Sequence, residues 1–447
     1  MVVLRSLWGG LGYDLPPATV YWTLRSLMFM LSFVLEDWAV QELVHSTRQR
    51  RVAMLLLASS YVTWTYQTHT FSNAIETLIV LWTLVLIGRI LDDKSRTGAY
   101  KCGALAFFGV LGVFNRITFP AFVLLPGLQL LPHFKRKPFA LLSMILFGGL
   151  TTFIAIAVDT EFYHPDAKNI KDLISNPIIT PLNNFLYNSS RSNLANHGLH
   201  PLYQHIVANL PQLLGPAFPL LFLSSRRKST PFIAAISGIL ILSVFPHQEA
   251  RFLIPAIPLI LSSIRLPKRF QQVWIASWII FNLIFGTLMG VYHQGGVVPM
   301  QNHIESMKDV SSVFWWKTYP PPTWLLDGKN EHMHTKDLMG MSGDTMLEEV
   351  LDSLPSCYSL ASLGMRTNGS TYLVAPASAE YMDNLVDSSQ RKDIVLEEVW
   401  QFRRHLNLDD LEFAEDGVLR TLNRVVGRRG LVLWRAKRQC QGVTNIY

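Results

Sequence analysis

The chain has 447 residues, of which 49% are hydrophobic and only 16% are charged. Because soluble domains carry about 25% charged residues, this composition and a mean hydropathy of +0.24 predict a multi-pass membrane protein. The formal net charge of +7 does not indicate nucleic-acid binding, since the basic residues lie in short clusters between apolar runs, a pattern typical of membrane topology.

Ten apolar runs are candidate membrane passes, if tilt and kinks are allowed. They lie at 20–44, 52–68, 72–91, 103–117, 118–131, 139–158, 204–224, 231–246, 252–264 and 271–292. The prolines in the run 252–264 predict a kinked or partly re-entrant pass. The predicted organisation is therefore a remnant of a first lumenal loop at 1–19, a multi-pass region at 20–293 and a lumenal domain at 294–447.

The connections between these runs alternate between basic and non-basic. The basic connections contain Arg48, Arg50 and Arg51, then Lys94, Arg96 and Lys101, then 135–137, 226–228 and 265–269. The non-basic connections are 66–73, 114–119, 159–203, 247–251 and everything after His293. The positive-inside rule assigns the first set to the cytosol and the second to the lumen or exterior. The glycosylation sequons at Asn188 and Asn368 fall on the second side, as they should.

The last 150 residues lose the membrane character. Residues 304–447 alternate strand-like and helix-like stretches and predict a small α/β or mixed domain. Cys357 and Cys440 lie in this domain and either pair in an oxidising lumen or remain free thiols. With Cys102 they form neither a disulfide framework nor a zinc pattern, so no metal site is expected.

Polar side chains collect on the predicted non-cytosolic side. They are Glu36, Asp37, Tyr66, Gln67, His69, Asn73, Glu76, Asn115, Arg116, Asp159, Glu161, Tyr163, His247, Gln248, Glu249, Arg251, His293 and Gln294. Arginines at a membrane surface suit a phosphate group, and carboxylates suit hydroxyl recognition or base catalysis. The set therefore predicts a site for a sugar carried on a lipid phosphate.

Most of these residues also have a structural interpretation. Glu36 and Asp37 can pair with Arg25 or Arg48 and hold helices together. His69 can be an interfacial histidine, Asp159 and Glu161 a solvated loop edge, and Arg116 a snorkelling arginine. The stretch 247–251 (HQEAR) favours a functional role, because it places four polar groups in five positions between apolar passes.

The stretch HQEARFLIPAIPLIL at 247–261 resembles the H-[KQ]-E-x-R-F-x-x-P signature of glycosyltransferase family 22, the mannosyltransferases of glycosylphosphatidylinositol (GPI) and dolichol-linked glycan synthesis. Gln248 in place of Lys resembles the branch that adds the fourth, side-branch mannose to GPI. The stretches 32–40, 59–82, 209–221 and 290–299 resemble fungal members of that branch, so the likeness covers most of the chain to about residue 300.

The resemblance implies a GT-C fold in the endoplasmic reticulum membrane, a dolichyl-phosphate mannose donor, a GPI acceptor and inversion at the anomeric carbon. It favours Arg251 and Arg116 at the donor phosphate. His247, Gln248, Glu249, His69, Gln67, Glu36, Asp37 and His293 are then expected around the sugar or acceptor. No cofactor beyond the lipid donor is expected. The alternatives are a sibling mannosyltransferase for another GPI or N-glycan position and a polytopic transporter.

The family's H-P-D-E-type motif in the first lumenal loop, the usual source of the catalytic base, has no match in this sequence. Asp14 stands in that loop but in the context GYDLPP, and the HPD at 164–166 lies in a later loop. The predicted topology also starts the chain in the lumen. Both observations predict an N-terminal truncation and a chain inactive as it stands, with Asp159 and Glu249 as the fallback candidates for the base.

Overall fold

The computed structural model describes residues 9–10, 16–94, 97–164, 176–195, 198–223, 228–326, 333–355, 369–386, 393–411, 413 and 417–439. The chain divides into two compact units. One is Leu24–Ile284, and the other joins Met1–Thr23 to Phe285–Tyr447.

Helices form almost all of the described chain up to residue 305. They are α1 (Pro17–Leu43), α2 (Thr47–Ser59), α3 (Ser72–Leu91), α4 (Ala99–Asn115), α5 (Phe119–Leu128), α6 (Leu131–Arg136), α7 (Pro138–Tyr163), α8 (Thr180–Ser189), α9 (Arg191–Ala195), α10 (Leu210–Leu214), α11 (Phe218–Leu223), α12 (Thr230–Leu242), α13 (Ala256–Ser263), α14 (Gln271–Thr287) and α15 (Val297–Glu305). Short π-helical turns occupy Thr63–Gln67, His205–Asn209 and Leu288–Tyr292, and 3-10 turns occupy Gly215–Ala217 and Ala250–Leu253.

Several helix starts follow directly from proline. α5, α6, α7 and α12 each carry a proline at one of their first two positions, where its missing N–H costs no hydrogen bond. Ser229 also caps α12 by accepting from the backbone N–H of Phe232. Sequence alone thus sets these boundaries.

Five of the described helical segments are long and apolar enough to cross a membrane. They are Ala18–Leu43, Ser72–Leu91, Pro138–Tyr163, His205–Leu223 and Gln271–Tyr292. Shorter apolar helices occupy Ala99–Asn115, Phe119–Leu128 and Thr230–Leu242. The run 252–264 is not one continuous helix, because Pro255 precedes the eight-residue α13, every residue of which is buried. The total of ten passes stays a prediction.

Helices α4 and α7 run parallel to each other. Ser143 Oγ donates to Ala99 O at 2.7 Å, and a Cβ on Gly103 would lie 3.0 Å from the ring of Phe147. The two contacts join residues with the same offset in sequence number. If this offset continues to the C-terminal ends of the helices, Asp159 lies at the same height as Asn115. The C-terminal ends of the two helices therefore lie on the same side of the unit.

The second unit contains a five-stranded mixed sheet. Its strands are β1 (Val310–Trp315), β2 (His334–Asp337), β3 (Ser370–Pro376), β4 (Ile394–Phe402) and β5 (Leu431–Arg438). Their spatial order is β2-β1-β3-β5-β4, with β1 parallel to β2 and β3 and with β5 antiparallel to β3 and β4. The remaining elements are 3-10 turns at Thr323–Leu326 and Leu408–Asp410 and the helices α16 (Gly343–Ser353), α17 (Glu380–Val386) and α18 (Val418–Gly427).

Alternation along the strands gives the sheet two apolar faces. α15 covers one face, where Met300 and Ile304 pack with Trp315, Tyr372 and Leu433. α16 covers the other face, packing Met346, Leu347 and Val350 against a cluster that includes Phe314 and Leu373. The predicted fold class, a helical multi-pass membrane protein with a small mixed C-terminal domain, is confirmed.

Candidate active site

Four connections of the Leu24–Ile284 unit meet at the end of α3 that begins at Ser72. Asn115 Nδ2 donates to Ser72 O, and Asn73 Nδ2 donates to Arg251 O, each at 2.9 Å. Backbone N–H of His200 donates to Pro246 O at 2.8 Å, which ties the loop before α10 to the same place. These are four of the connections that the charge pattern assigned to one side of the membrane.

The basic connections lie toward the other end of α3. Lys101 Nζ is 3.0 Å from Asp93 Oδ1, and Lys137 Nζ donates to Asp93 O at 2.9 Å. Gln49 Nε2 donates to Ile264 O, which joins two further connections of that set. A helix of 20 residues spans about 30 Å, so the two sets of connections are separated by roughly the thickness of a bilayer core.

Arg116 is held by Glu76, which the sequence analysis counted among the polar residues of this side, and by Ser72 and Thr118, which it did not name. Its Nε lies 3.0 Å from Glu76 Oε2 and 3.1 Å from Thr118 Oγ1, while Nη1 donates to Ser72 Oγ at 3.0 Å. Thr118 in turn donates to the other Glu76 oxygen at 2.5 Å. The Glu76 side chain is fully buried, so a carboxylate within an apolar span was the signal in the sequence.

Phe252 lies next to both arginines of the predicted phosphate site. The guanidinium carbon of Arg116 is 5.4 Å from the centre of the Phe252 ring, and that of Arg251 is 5.9 Å from it. Both distances are within the range of cation–π contacts. The Arg116 side chain is 18% exposed and that of Arg251 is 52% exposed, so the structure brings together one partly buried and one accessible cation.

Glu249 joins Arg251 to His247. Its carboxylate pairs with Arg251 through both Nε and Nη2, and its Oε1 lies 2.8 Å from His247 Nε2. His247 Nδ1 is 3.0 Å from Gly198 O. Burial alone would raise the pKa of Glu249, but hydrogen bonds and charge from Arg251 and His247 outweigh it and lower this pKa below its usual range. Glu249 is therefore a carboxylate suited to orienting cations and poorly suited to accepting a proton.

Gln248 points away from its two neighbours and into the protein. It is buried, its Oε1 accepts from His205 N–H at 3.0 Å, and its Nε2 donates to Ser243 O and Phe245 O at 2.9 and 3.0 Å. All of these partners are backbone groups. In the structure Gln248 thus holds the loop that presents His247, Glu249 and Arg251, and its amide is not offered to a sugar.

His69 and Gln67 occupy the turn before α3. Arg25 Nη1 lies 2.7 Å from His69 Nε2, and His69 stacks on Phe71 with ring centres 4.6 Å apart. Burial, and secondly the charge of Arg25, lower the pKa of His69 to about 3, which keeps the ring neutral. Gln67 is buried and donates to Ala74 O at 3.0 Å. Both residues hold the turn against α1 and α3.

The remaining carboxylates differ in their surroundings. Glu36 is buried in α1 and Asp37 is partly buried, and neither makes a hydrogen bond or ion pair within the described part of the chain. The alternative pairing with Arg25 or Arg48 is absent there, and Arg25 contacts His69 and Thr68. Asp159 accepts a hydrogen bond from Thr180 Oγ1, and Glu161 is exposed.

His293 belongs to the other unit. Its Nε2 lies 2.8 Å from Tyr319 Oη, and the following Gln294 donates to Asn407 Oδ1 at 3.1 Å. Gly295 has no room for a side chain, because an added Cβ would lie 2.1 Å from Val291 O. The HQGG element is therefore a packed joint of the C-terminal unit.

The predicted glycosylation sites and the two cysteines of the C-terminal domain lie only partly within the described residues. Asn188 lies on α8, where its amide donates to Asn184 O at 2.8 Å. Asn368, Cys357 and Cys440 lie outside the described residues. Among the described residues, no group of three or more His, Cys, Asp or Glu side chains has an arrangement that could hold a metal ion.

Fold and site together define a multi-pass membrane protein that gathers two arginines and two carboxylates at one end of its helices. Residues 10–326 match the Alg9-like mannosyltransferase family, a range that covers most of the chain. The chain belongs to this family of membrane mannosyltransferases, as the HQEARF stretch predicted.

Curated relatives resemble the chain over nearly its whole length. GPI mannosyltransferase 4 of Aspergillus oryzae is 51% identical over 95% of this chain and 83% of its own. The proteins of the same name from Emericella nidulans and Candida albicans are 46% and 37% identical, over 99% and 90% of this chain and 87% and 81% of their own. A solved structure of ArnT from Cupriavidus metallidurans bound to undecaprenyl phosphate aligns over 92% of this chain and 83% of that chain. The two structures superpose with a TM-score of 0.44 at 10% sequence identity.

Proposed function

We propose that the protein transfers mannose from dolichyl-phosphate mannose to a GPI precursor, as the fourth mannose, on the lumenal face of the endoplasmic reticulum membrane. The observation that carries the proposal is the pair of guanidinium groups, Arg116 and Arg251, on the shared Phe252 ring. The relatives named GPI mannosyltransferase 4 support a GPI precursor as the acceptor, and the family supports mannose as the transferred sugar.

The two arginines have different parts in binding the donor phosphate. Arg116 is fixed by Glu76, Thr118 and Ser72, so it supplies a charge whose position is set before the donor binds. Arg251 is half exposed, and among the described residues its guanidinium pairs with Glu249. It would bind the phosphate oxygens of the donor with a forked pair of N–H groups. Positive charge from two guanidinium groups removes the need for a metal ion at the leaving group, and we expect activity to survive chelators.

The chemical step is a single in-line displacement. An acceptor hydroxyl oxygen attacks the anomeric carbon of mannose, and the bond from that carbon to the phosphate oxygen breaks with its electron pair going to the phosphate. The hydroxyl proton passes to a carboxylate. Attack opposite the leaving group converts the β-linked donor into an α-linked product.

Of the two fallback candidates for the base, Asp159 fits better than Glu249. The charge of Glu249 is committed to Arg251 and His247, whereas Asp159 is partly exposed and has a neutral partner in Thr180. The parallel register of α4 and α7 also brings Asp159 level with the Asn115–Arg116 corner. Both ring nitrogens of His247 are engaged, by Glu249 Oε1 and by Gly198 O, so in the proposed site this histidine positions Glu249.

The test uses cells that lack the fourth GPI mannosyltransferase. Expression of a version extended with upstream genomic sequence is expected to restore GPI precursors with four mannoses. The matched control is the same protein with Arg251→Ala. If a GPI or N-glycan intermediate at a different mannose position is elongated instead, the protein is a sibling transferase. If transport appears without elongation, the proposal is wrong.

A further inference from the structure

His200 lies in the loop that leads into the π-helical turn His205–Asn209. The proline at position 201 favours extended backbone for the residue before it, and His200 lies outside any helix or strand. The backbone N–H of Gln204 donates to Pro201 O at 2.9 Å, which closes a turn directly after the histidine. The local sequence therefore limits the directions in which the His200 ring can leave the chain.

Two hydrogen bonds hold His200 against the start of the HQEARF stretch. Its backbone N–H donates to Pro246 O at 2.8 Å, and its Nδ1 accepts from the backbone N–H of Gln248 at 3.3 Å. A backbone N–H can only donate, so Nδ1 is the unprotonated nitrogen and the ring carries its hydrogen on Nε2. The tautomer of His200 is therefore set by the loop that carries Glu249 and Arg251.

The Nε2–H group of His200 has no hydrogen-bond partner within the described part of the chain, and its ring is partly exposed. Two other histidines lie nearby. His247 has both ring nitrogens engaged, by Glu249 Oε1 and Gly198 O, and His205 is fully buried. Of these three histidines, His200 is therefore the one that offers a donor to a bound molecule.

The ring distances put His200 within the reach of a sugar held at the proposed phosphate site. The centre of the His247 ring is 5.8 Å from that of His200 and 5.5 Å from that of Phe252. Phe252 contacts the two guanidinium groups proposed to bind the donor phosphate. His200 is therefore at most two ring spacings from Phe252, a gap that a hexose attached to the phosphate can bridge.

We propose that His200 Nε2–H donates a hydrogen bond to a hydroxyl of the donor mannose, O3 or O4, at the end of the sugar ring remote from the phosphate. The inference rests on the proposed function, since it needs the phosphate at Arg116 and Arg251. His200 then contributes to the choice of the donor sugar, because a site built to bond a hydroxyl disfavours a sugar that lacks it. The two ring nitrogens have separate roles, since Nδ1 holds the loop and Nε2 contacts the sugar.

Two substitutions separate the roles of the two ring nitrogens. In His200→Asn the side-chain oxygen can replace Nδ1 as the acceptor for Gln248 N–H, and the outward donor is lost. In His200→Gln the longer side chain can place an N–H group near the position of Nε2, and the acceptor is lost. Both are made in the version extended with upstream genomic sequence. Microsomes are assayed with a GPI precursor of three mannoses and polyprenyl-phosphate mannose or its 3-deoxy and 4-deoxy forms, and immunoblots give the abundance.

The expected loss of kcat/KM in His200→Asn is about 3- to 10-fold at normal abundance, which corresponds to one hydrogen bond to a hydroxyl. His200→Gln, which keeps a donor, is expected to lose less. One of the two deoxy donors should cost the original protein the same factor and cost His200→Asn nothing further.

Full activity of His200→Asn overturns the inference, and so does a deoxy-donor penalty that is equal in the original protein and in His200→Asn. A larger loss in His200→Gln than in His200→Asn also overturns it and shows that the ring only holds the loop. If the unsubstituted protein transfers no mannose, the proposed function is wrong and the inference falls with it. If the unsubstituted protein transfers mannose and His200→Asn does so equally well, only the inference is wrong.

Discussion

Glu76 and Arg116 form a shielded ion pair at the corner where four connections meet, with 3.0 Å between Glu76 Oε2 and Arg116 Nε. Glu76 comes from a membrane span and Arg116 from the connection between α4 and α5. The pair joins two helices and also sets the direction of one of the two proposed phosphate ligands.

Glu76→Ala is therefore expected to be strongly destabilising. Removing one partner of a buried ion pair leaves the other charge without compensation and costs about 3–5 kcal/mol. Thermal unfolding in detergent measures the change. The control is Glu42→Ala, which removes the exposed pair between Glu42 and Arg89 and is expected to cost at most about 1 kcal/mol. Equal stability of the two variants would show that the Glu76 pair does not form.

Arg251→Ala is expected to abolish most mannosyl transfer while the protein accumulates normally. Loss of one charge-assisted contact to a transition-state anion costs roughly 2.7–4 kcal/mol in comparable sites, and Arg251 is too exposed for its loss to unfold the protein. Lys at this position is expected to restore only part of the transfer activity, because its ammonium group cannot make the forked contact of a guanidinium. Arg136→Ala, on the basic side of the helices, is the control. Full activity of the Ala variant would reject the phosphate role.

The effect of a substitution at Gln248 on protein abundance is expected to depend on whether the new side chain supplies hydrogen-bond donors. The side chain donates to two backbone carbonyls and accepts from His205 N–H. Glu cannot donate to the carbonyls and buries a negative charge beside them, whereas Lys loses the acceptor but keeps donors, and its positive charge lies against carbonyl oxygens. We therefore expect membrane abundance to fall in the order Gln, Lys, Glu, measured by immunoblot. A Glu variant as abundant as the original protein contradicts this account.

The stability of the protein is expected to fall as the pH is lowered, partly through His69. Its pKa in the folded protein is about 3, below the value of about 6.5 in an unfolded chain. The unfolded state therefore binds the proton first, so this contribution is complete above pH ~6.5 and is progressively lost below it. Between pH ~7 and ~5, the His69→Gln variant is expected to lose less stability than the original protein. The expected difference in the free energy of unfolding is about 1–2 kcal/mol, which appears as a smaller drop in melting temperature. Parallel pH curves for the two proteins would exclude His69 as a source.

Glycosylation mapping tests the sidedness of the membrane topology. Acceptor tags inserted at 135–137 or 265–269 are expected to stay unmodified, and Asn188 is expected to carry a glycan that Asn188→Gln removes. The reason is the separation of basic and non-basic connections to opposite ends of α3. A gel-mobility shift reports each result. Modification of a tag at 135–137 would reverse the assignment.

The basic and non-basic connections lie at opposite ends of α3, and this arrangement could be predicted from the sequence alone. Each apolar run or basic cluster interacts with the bilayer independently of the other segments. Composition was therefore enough to predict the multi-pass fold class. Likewise the HQEARF stretch predicted the family, because its residues are consecutive and their order is visible. The mixed sheet of the C-terminal domain was also predicted from local alternation.

The partners of the polar residues depended on tertiary structure. Gln248 stands between two residues of the proposed site and yet turns inward, because backbone groups of other segments offer it better hydrogen bonds than water does. Glu76 looked like one more polar residue of a turn until Arg116, forty positions away, was found against it. The sequence predicted that these polar groups share one side of the membrane, since hydropathy and charge act on each segment separately. Only the packing of helices decided which of them meet, because burial, hydrogen bonding and ion pairing are properties of pairs.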